Sequence, residues 1–88
     1  MTMVIKKDGA AENFSRDKIR RGIESAAKRV KLDKSKMKDI ADKVSRNVES
    51  HFRDRDEVKS SDIRSRVLSE LEREEKKVAK EFRAFRKD

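Results

Sequence analysis

The sequence predicts an α+β fold, mainly α, in which a short β-hairpin or three-stranded sheet caps a four-helix bundle. Three observations predict it. Apolar residues recur at helical spacing from Ile19 to Phe85. A β-branched pair near the start, Val4-Ile5, runs into the turn signal Asp8-Gly9. Proline is absent and glycine stands only at positions 9 and 22, so no linker or low-complexity segment divides the chain.

Length and charge bound the class. The chain has 88 residues, the size of one small domain, read as a single stand-alone unit over 1–88. Such a domain buries only roughly 60 to 65% of its unfolded surface, so its core is thin. Lys and Arg number 26 against 18 Asp and Glu, a net charge of +8. This much charge can signal disorder, but here the signs largely balance and the apolar residues are periodic. A folded domain with a charged skin is the expectation. Without cysteine there is no disulfide, no Cys-based zinc site and no thiol chemistry. No apolar run is long enough for a membrane span or a signal peptide, so the expected location is cytoplasmic, with no membrane partner.

The elements follow in order. Residues 3–7 and 10–14 flank Asp8-Gly9, which predicts a hairpin with a two-residue type I′ turn. Ser15 suits an N-cap, and Ile19, Ile23, Ala26, Ala27 and Val30 form the stripe of the helix behind it. Lys28, Arg29 and Lys31 suit the negative end of that helix. Gly22 inside it costs about 1 kcal/mol relative to Ala, which points to a close approach of a neighbouring helix. Asp33 caps a second helix with the stripe Met37, Ile40, Ala41, Val44, Val48 and Phe52. On its wet side Asp39–Lys43 and Asp42–Arg46 stand as i,i+4 pairs. Val58 is read as a brief third strand, with Ser60 or Ser61 capping a third helix along Ile63, Val67, Leu68 and Leu71. The acidic run at 72–75 is the expected joint before a fourth helix, because like charges weaken a local helix. That break would let Phe82 and Phe85 fold back onto the core.

The chemistry is defined first by what is missing. No phosphate-cradling glycine loop is present, and His51 is the only histidine, so no enzyme constellation is visible. The expected protein is not an enzyme. Charge is uneven: residues 1–31 hold nine basic and four acidic side chains, and the rest is nearly balanced. An anion is drawn to that first third. There, Lys6, Lys7 and Lys18 stand near a helix start whose free N–H groups and dipole favour anions. Val4, Ile5 and Ile19 are apolar neighbours suited to a flat ring. In a chain this charged, the same lysines also fit a plain solvated surface.

The stretch from Val4 to Val30, with Lys6, Lys7, Asp8, Gly9, Glu12, Phe14, Asp17, Lys18 and Ile19, resembles the opening of the ATP-cone family. The later stretch "VKSSDI" resembles the family's second block, and "VAKEFRAFR", reaching Arg86, its closing helix. The resemblance implies a regulatory domain that binds ATP or dATP, with or without Mg2+, under a small sheet lid. Such domains stand in ribonucleotide reductases and in the repressor of reductase genes, and relay the bound state through oligomeric contacts. It implies that Lys6, Lys7 and Lys18 meet the phosphates, Glu12 and Ser15 the base or sugar edge, and that Val4 and Ile19 wall the base. Ser60 and Arg64 would complete the site. Lys7 stands where the family usually has Arg, which removes a bidentate phosphate contact. Arg64 occupies a position the family varies. The reductase barrel and the repressor's cysteine-bound zinc ribbon are both missing, which reads as a free-standing or excised cone. The implied partners are an adenine nucleotide, a second copy, or a regulated protein.

Two other readings stand beside this one. Net charge +8 also suits a small basic nucleic-acid-binding protein, although no Trp or Tyr is available for base stacking. The other is a cone that keeps the fold but has lost its ligand.

Overall fold

The computed structural model describes residues 2–85. β1 (Met3–Ile5) is the middle strand of a three-stranded sheet of order β2-β1-β3. β2 (Ala11–Asn13) pairs with it antiparallel and β3 (Glu57–Lys59) parallel, so the third strand expected at Val58 is present. In register, Val4 lies between Glu12 and Val58. Cross-strand neighbours share a face, so these three point the same way. Val4 and Val58 are buried there with the helices' core residues.

The hairpin turn differs from the two-residue type I′ expected. The Gly9 N–H donates to Lys6 O at 2.9 Å and the Lys6 N–H to Ala10 O at 2.8 Å. Of the loop residues only Gly9 has a positive φ, +89°. This is a three-residue loop, a turn followed by a left-handed glycine. Asp8 avoids the left-handed region and instead accepts the Ala10 N–H on its carboxylate at 2.9 Å. An aspartate that can make this local bond has no need of the strained conformation.

α1 (Arg16–Arg29) starts at Ser15, whose hydroxyl accepts from the Lys18 N–H at 3.2 Å. It ends in a left-handed residue, Lys31 at φ 57°, with the Leu32 N–H on Ala27 O at 3.0 Å. That six-to-one bond closes the helix in the manner usually given to glycine. α2 (Lys34–Phe52) is capped by Asp33 through the Lys36 N–H. Of the two i,i+4 pairs expected on it, Asp42–Arg46 is formed. Lys43 instead reaches Glu74 on the next helix at 2.9 Å.

β3 runs straight into α3 (Ser60–Glu74). Neither Ser60 nor Ser61 caps it, which corrects the sequence expectation: Lys59 holds the N-cap position without a side-chain bond. Lys59 is still paired with Ile5 in the sheet, so both serines already lie in the first helical turn. The expected break falls at Glu75, extended at φ −160° and ψ 102°, before α4 (Lys76–Ala84). Phe82 packs against the core, but Phe85 remains 49% exposed, so only one of the two rings folds back as expected. Phe85 sits where α4 ends, beyond the reach of the buried stripe. Arg86, the last residue of the resembling segment, lies outside the described residues.

α1 packs on α2 and α4, and α3 on α2 and α4. Ile23, Ala26, Ala27, Val44, Val48, Val67, Leu71, Val78 and Ala79 fill the space between them. α2 and α3 run antiparallel, tied by Lys43–Glu74 and by Asn47 Nδ2 on Glu70 Oε1 at 3.3 Å. Glu70 is buried, and its other oxygen takes Arg73 at 2.7 Å and Arg66 at 3.2 Å. Its charge is tolerated because each oxygen has a donor. A methyl at Gly22 would meet Phe82 Cε2 at 3.5 Å, an ordinary contact, so no close helix approach demands this glycine. Among the described residues no helix is long and apolar enough to cross a membrane.

Candidate functional site

The inward face of the hairpin and one side of α1 enclose an open cleft of about 690 Å³. It is closed on the far side by α4 and the second turn of α3. The sheet sends Lys6 and Glu12 into it. Glu12 faces inward because it is Val4's cross-strand neighbour, on an edge strand where an inward charge also discourages pairing with another chain. Lys6, two residues past Val4, keeps to the same side. From α1 come Lys18, Arg21, Gly22, Ser25 and Arg29, a single helical stripe beside the buried one. Arg64 from α3 and Phe82 and Phe85 from α4 complete the lining.

Five cations therefore line the cleft against one carboxylate. Glu12 Oε2 lies 3.2 Å from Lys18 Nζ and 3.5 Å from Lys6 Nζ. The hydrogen bond from Lys18, reinforced by the charges of Lys18 and Lys6, holds the Glu12 carboxyl below the usual carboxylate range. Glu12 thus stands between the two lysines. Arg21 is paired with Asp17 at 2.9 Å, and Arg29 with Glu81 at 2.6 Å. The Arg29 guanidinium also lies 4.4 Å from the centre of the Phe85 ring, a cation–π contact. Arg64 does something the sequence does not suggest. Its Nη2 donates to Phe82 O at 2.9 Å, Arg83 O at 3.2 Å and Phe85 O at 3.1 Å, capping the last carbonyls of α4. Its guanidinium stands 5.0 Å from the centre of the Phe82 ring.

Cations, a helix start and two aromatic rings around one cleft suit a ligand that is anionic at one end and flat at the other. The family model of the ATP cone domain matches residues 2–88. The chain belongs to the ATP-cone family. It is 40% identical over 68 residues to the transcriptional repressor NrdR of Pediococcus pentosaceus, which covers 77% of this chain and 39% of that protein. The NrdR of Streptococcus pneumoniae Hungary19A-6 is 35% identical over 69 residues, 78% of this chain and 43% of its own. The chain thus spans less than half the length of the curated relatives it matches. An ATP-cone is a nucleotide-binding regulatory domain related to the ribonucleotide reductase system.

Of the residues singled out in the sequence of this cone, the structure brings Lys6, Glu12, Lys18 and Arg64 together in the cleft. Val4 is buried in the core behind it, and Ile19 is half-buried against the same core. Ser15 serves as the α1 cap. Lys7 is exposed in the hairpin turn, and Ser60 is half-buried at the start of α3; neither lines the cleft. Sequence reasoning missed Arg21, Gly22, Ser25, Arg29, Phe82 and Phe85 as lining residues. The spacing Lys18, Arg21, Ser25, Arg29 is a polar stripe at helical period, and could have marked four of the lining positions. The placement of the α4 rings could not, because it depends on the break at Glu75. Among the described residues no group of three or more His, Asp or Glu could hold a metal ion. The cleft's one carboxylate is already engaged by two lysines, so the chain itself does not fit a magnesium site.

Proposed function

We propose that this ATP-cone senses an adenine nucleotide, ATP or dATP, in the cleft between hairpin and α1, and does not hydrolyse it. The carrying observation is the convergence of Lys6 and Lys18 from two different elements on one carboxylate. A phosphate group arriving there exchanges one anionic partner for a more highly charged one. The Phe82 and Phe85 rings, beside the guanidinium groups of Arg64 and Arg29, add aromatic surface for the base. Ile19, half-buried against the core, is not among the residues that line the cleft. In this reading the sheet is a lid over the bundle of four helices. Any Mg2+ travels on the nucleotide's own phosphates. The signal passes to a second copy of the chain or to a partner protein. The regulated process is ribonucleotide reduction or expression of its genes, in the cytoplasm.

Calorimetric titration with ATP, dATP and GTP tests the reading, with light scattering before and after ligand. Saturable binding of the adenine nucleotides is expected, together with a rise in melting temperature. The Lys6→Ala/Lys18→Ala variant should lose both. Equal heats and equal thermal shifts in the variant and the parent would remove the proposed site. No binding at millimolar ligand would leave a cone that keeps the fold without the ligand.

A further inference from the structure

The sequence assigns most of the positive surplus to the first third of the chain. The structure moves the available charge elsewhere. Among the described residues, the cations of the early α1 turns and the hairpin are largely matched: Lys6 and Lys18 by Glu12, Arg20 and Arg21 by Asp17, Arg16 by Glu49. Nine exposed lysines meet no carboxylate within 4.0 Å among those residues: Lys7 and Lys59 stand at the sheet beside the exposed Asp8, Asp56 and Glu57, Lys80 lies inside α4, and the other six belong to helix ends away from the sheet. Lys28 and Lys31 close α1, Lys34 and Lys38 open α2, and Lys76 and Lys77 open α4. The short α1–α2 connection and the joint at Glu75 bring these three ends together, as the 3.9 Å contact of Lys36 with Glu75 shows. Nearby acids are turned to other cations: Glu72 to Arg83 at 2.7 Å, Glu74 to Lys43 at 2.9 Å. Asp33, the α2 cap, and Asp39 further along α2 add two exposed carboxylates against these six lysines, which leaves this end positive.

We infer that this lysine-rich end is a docking surface for the phosphate backbone of a nucleic-acid duplex, separate from the nucleotide cleft. Lysines spread over three helix ends do not converge on one small anion. The molecule measures 35 × 25 × 18 Å, and α2 alone is about 28 Å long by its rise per residue, so these ends share a face up to about 25 Å across. A duplex crossing that width presents roughly fifteen phosphate charges, more than the face can neutralise. A bilayer is the poorer match: the large exposed apolar side chain among the described residues, Phe85, lines the cleft instead, so this end has no apolar anchor. The contacts are to backbone charge alone, so binding is independent of sequence and steep in salt.

Fluorescence anisotropy of a labelled DNA duplex of arbitrary sequence tests this, read between about 50 and 200 mM salt. Five neutralised phosphates would give a slope of log affinity against log salt of about −4.5. Lys34→Gln/Lys76→Gln/Lys77→Gln should flatten that slope by about 2.7. Arg53→Gln/Arg55→Gln/Lys59→Gln removes the same charge from the sheet end and should change the slope by less than about 1. Circular dichroism melts establish that both variants fold. Equal flattening by the two variants would overturn the inference, as would absence of binding at the lowest salt. Tighter binding to phosphatidylserine vesicles than to the duplex would also overturn it. Failure here leaves the calorimetry of the cleft untouched, because none of these six residues lines it.

Discussion

Gly22→Ala separates the fold from the site. Glycine in the interior of a helix costs about 0.8 to 1 kcal/mol relative to alanine. Gly22 sits in the middle of α1, half-buried, and the added methyl meets Phe82 Cε2 at 3.5 Å. That contact is neither a clash nor a void, so the propensity gain is realised almost in full, about 1 kcal/mol. For a domain of this size that corresponds to a rise of about 4 to 8 °C in melting temperature. Urea denaturation should show a higher midpoint with an unchanged slope, since the unfolded surface is nearly the same. A lower or unchanged midpoint would refute the reasoning, because the Phe82 ring would then be closer to α1 than described. The same methyl projects into the cleft lining, so nucleotide affinity should fall while stability rises. Affinity unchanged in a stabilised variant would move the ligand away from this part of the cleft.

The remaining predictions concern stability and pH. Lys31→Gly should stabilise by about 0.5 to 1 kcal/mol: it relieves a left-handed residue worth about 1 to 2 kcal/mol and gives back part as unfolded-chain entropy; Lys31→Ala, melted alongside, should show no such gain. Arg64→Ala leaves two carbonyls of the nine-residue α4 and that of its C-cap Phe85 without this donor, and should cost about 1 to 3 kcal/mol with faster amide exchange in α4. Glu70→Ala strips the acceptor from Arg66, Arg73 and Asn47 and should cost about 1 to 3 kcal/mol in urea melts, of which Glu70→Met recovers a part. Glu12 and Asp17 are both held below the usual carboxylate range, Glu12 chiefly by the Lys18 hydrogen bond and Asp17 chiefly by that from Arg20. Their ionised forms are favoured on folding, so their contribution is complete above about pH 5 and is lost as pH falls through the lowered folded values. Denaturation midpoints that rise between pH 5 and pH 2 would contradict this sign.

Local signals were legible wherever a residue answers to its own neighbours. Ser15 and Asp33 cap because a short oxygen-bearing side chain ahead of an apolar stripe finds the N–H groups within three residues. Val58 reads as a strand, and the acidic run as a joint, for similarly local reasons. The failures are instructive in the same terms. Asp8-Gly9 allows two loops, and the choice between them is made by the Asp8 carboxylate bonding the Ala10 N–H. Ser60 looks like a cap, but a strand pairing fifty residues away in sequence carries the chain past it. Glu70 reads as one more surface acid, and is buried between two arginines and an asparagine.

By itself the sequence determined the family, the mainly helical class, the two capped helices and the basic character of the hairpin and α1. These depend on patterns within a few residues or on ordered blocks along the chain, so no three-dimensional knowledge is needed to read them. The tertiary structure alone decided which of those basic residues meet and which are already neutralised. It set Glu12 between Lys6 and Lys18, turned Arg64 onto the end of α4, and brought Phe82 and Phe85 to the same cleft. It also gathered unmatched lysines at the opposite end. Charge is additive along a chain, but its pairing is set within about 4 Å in space, a distance the sequence does not encode residue by residue.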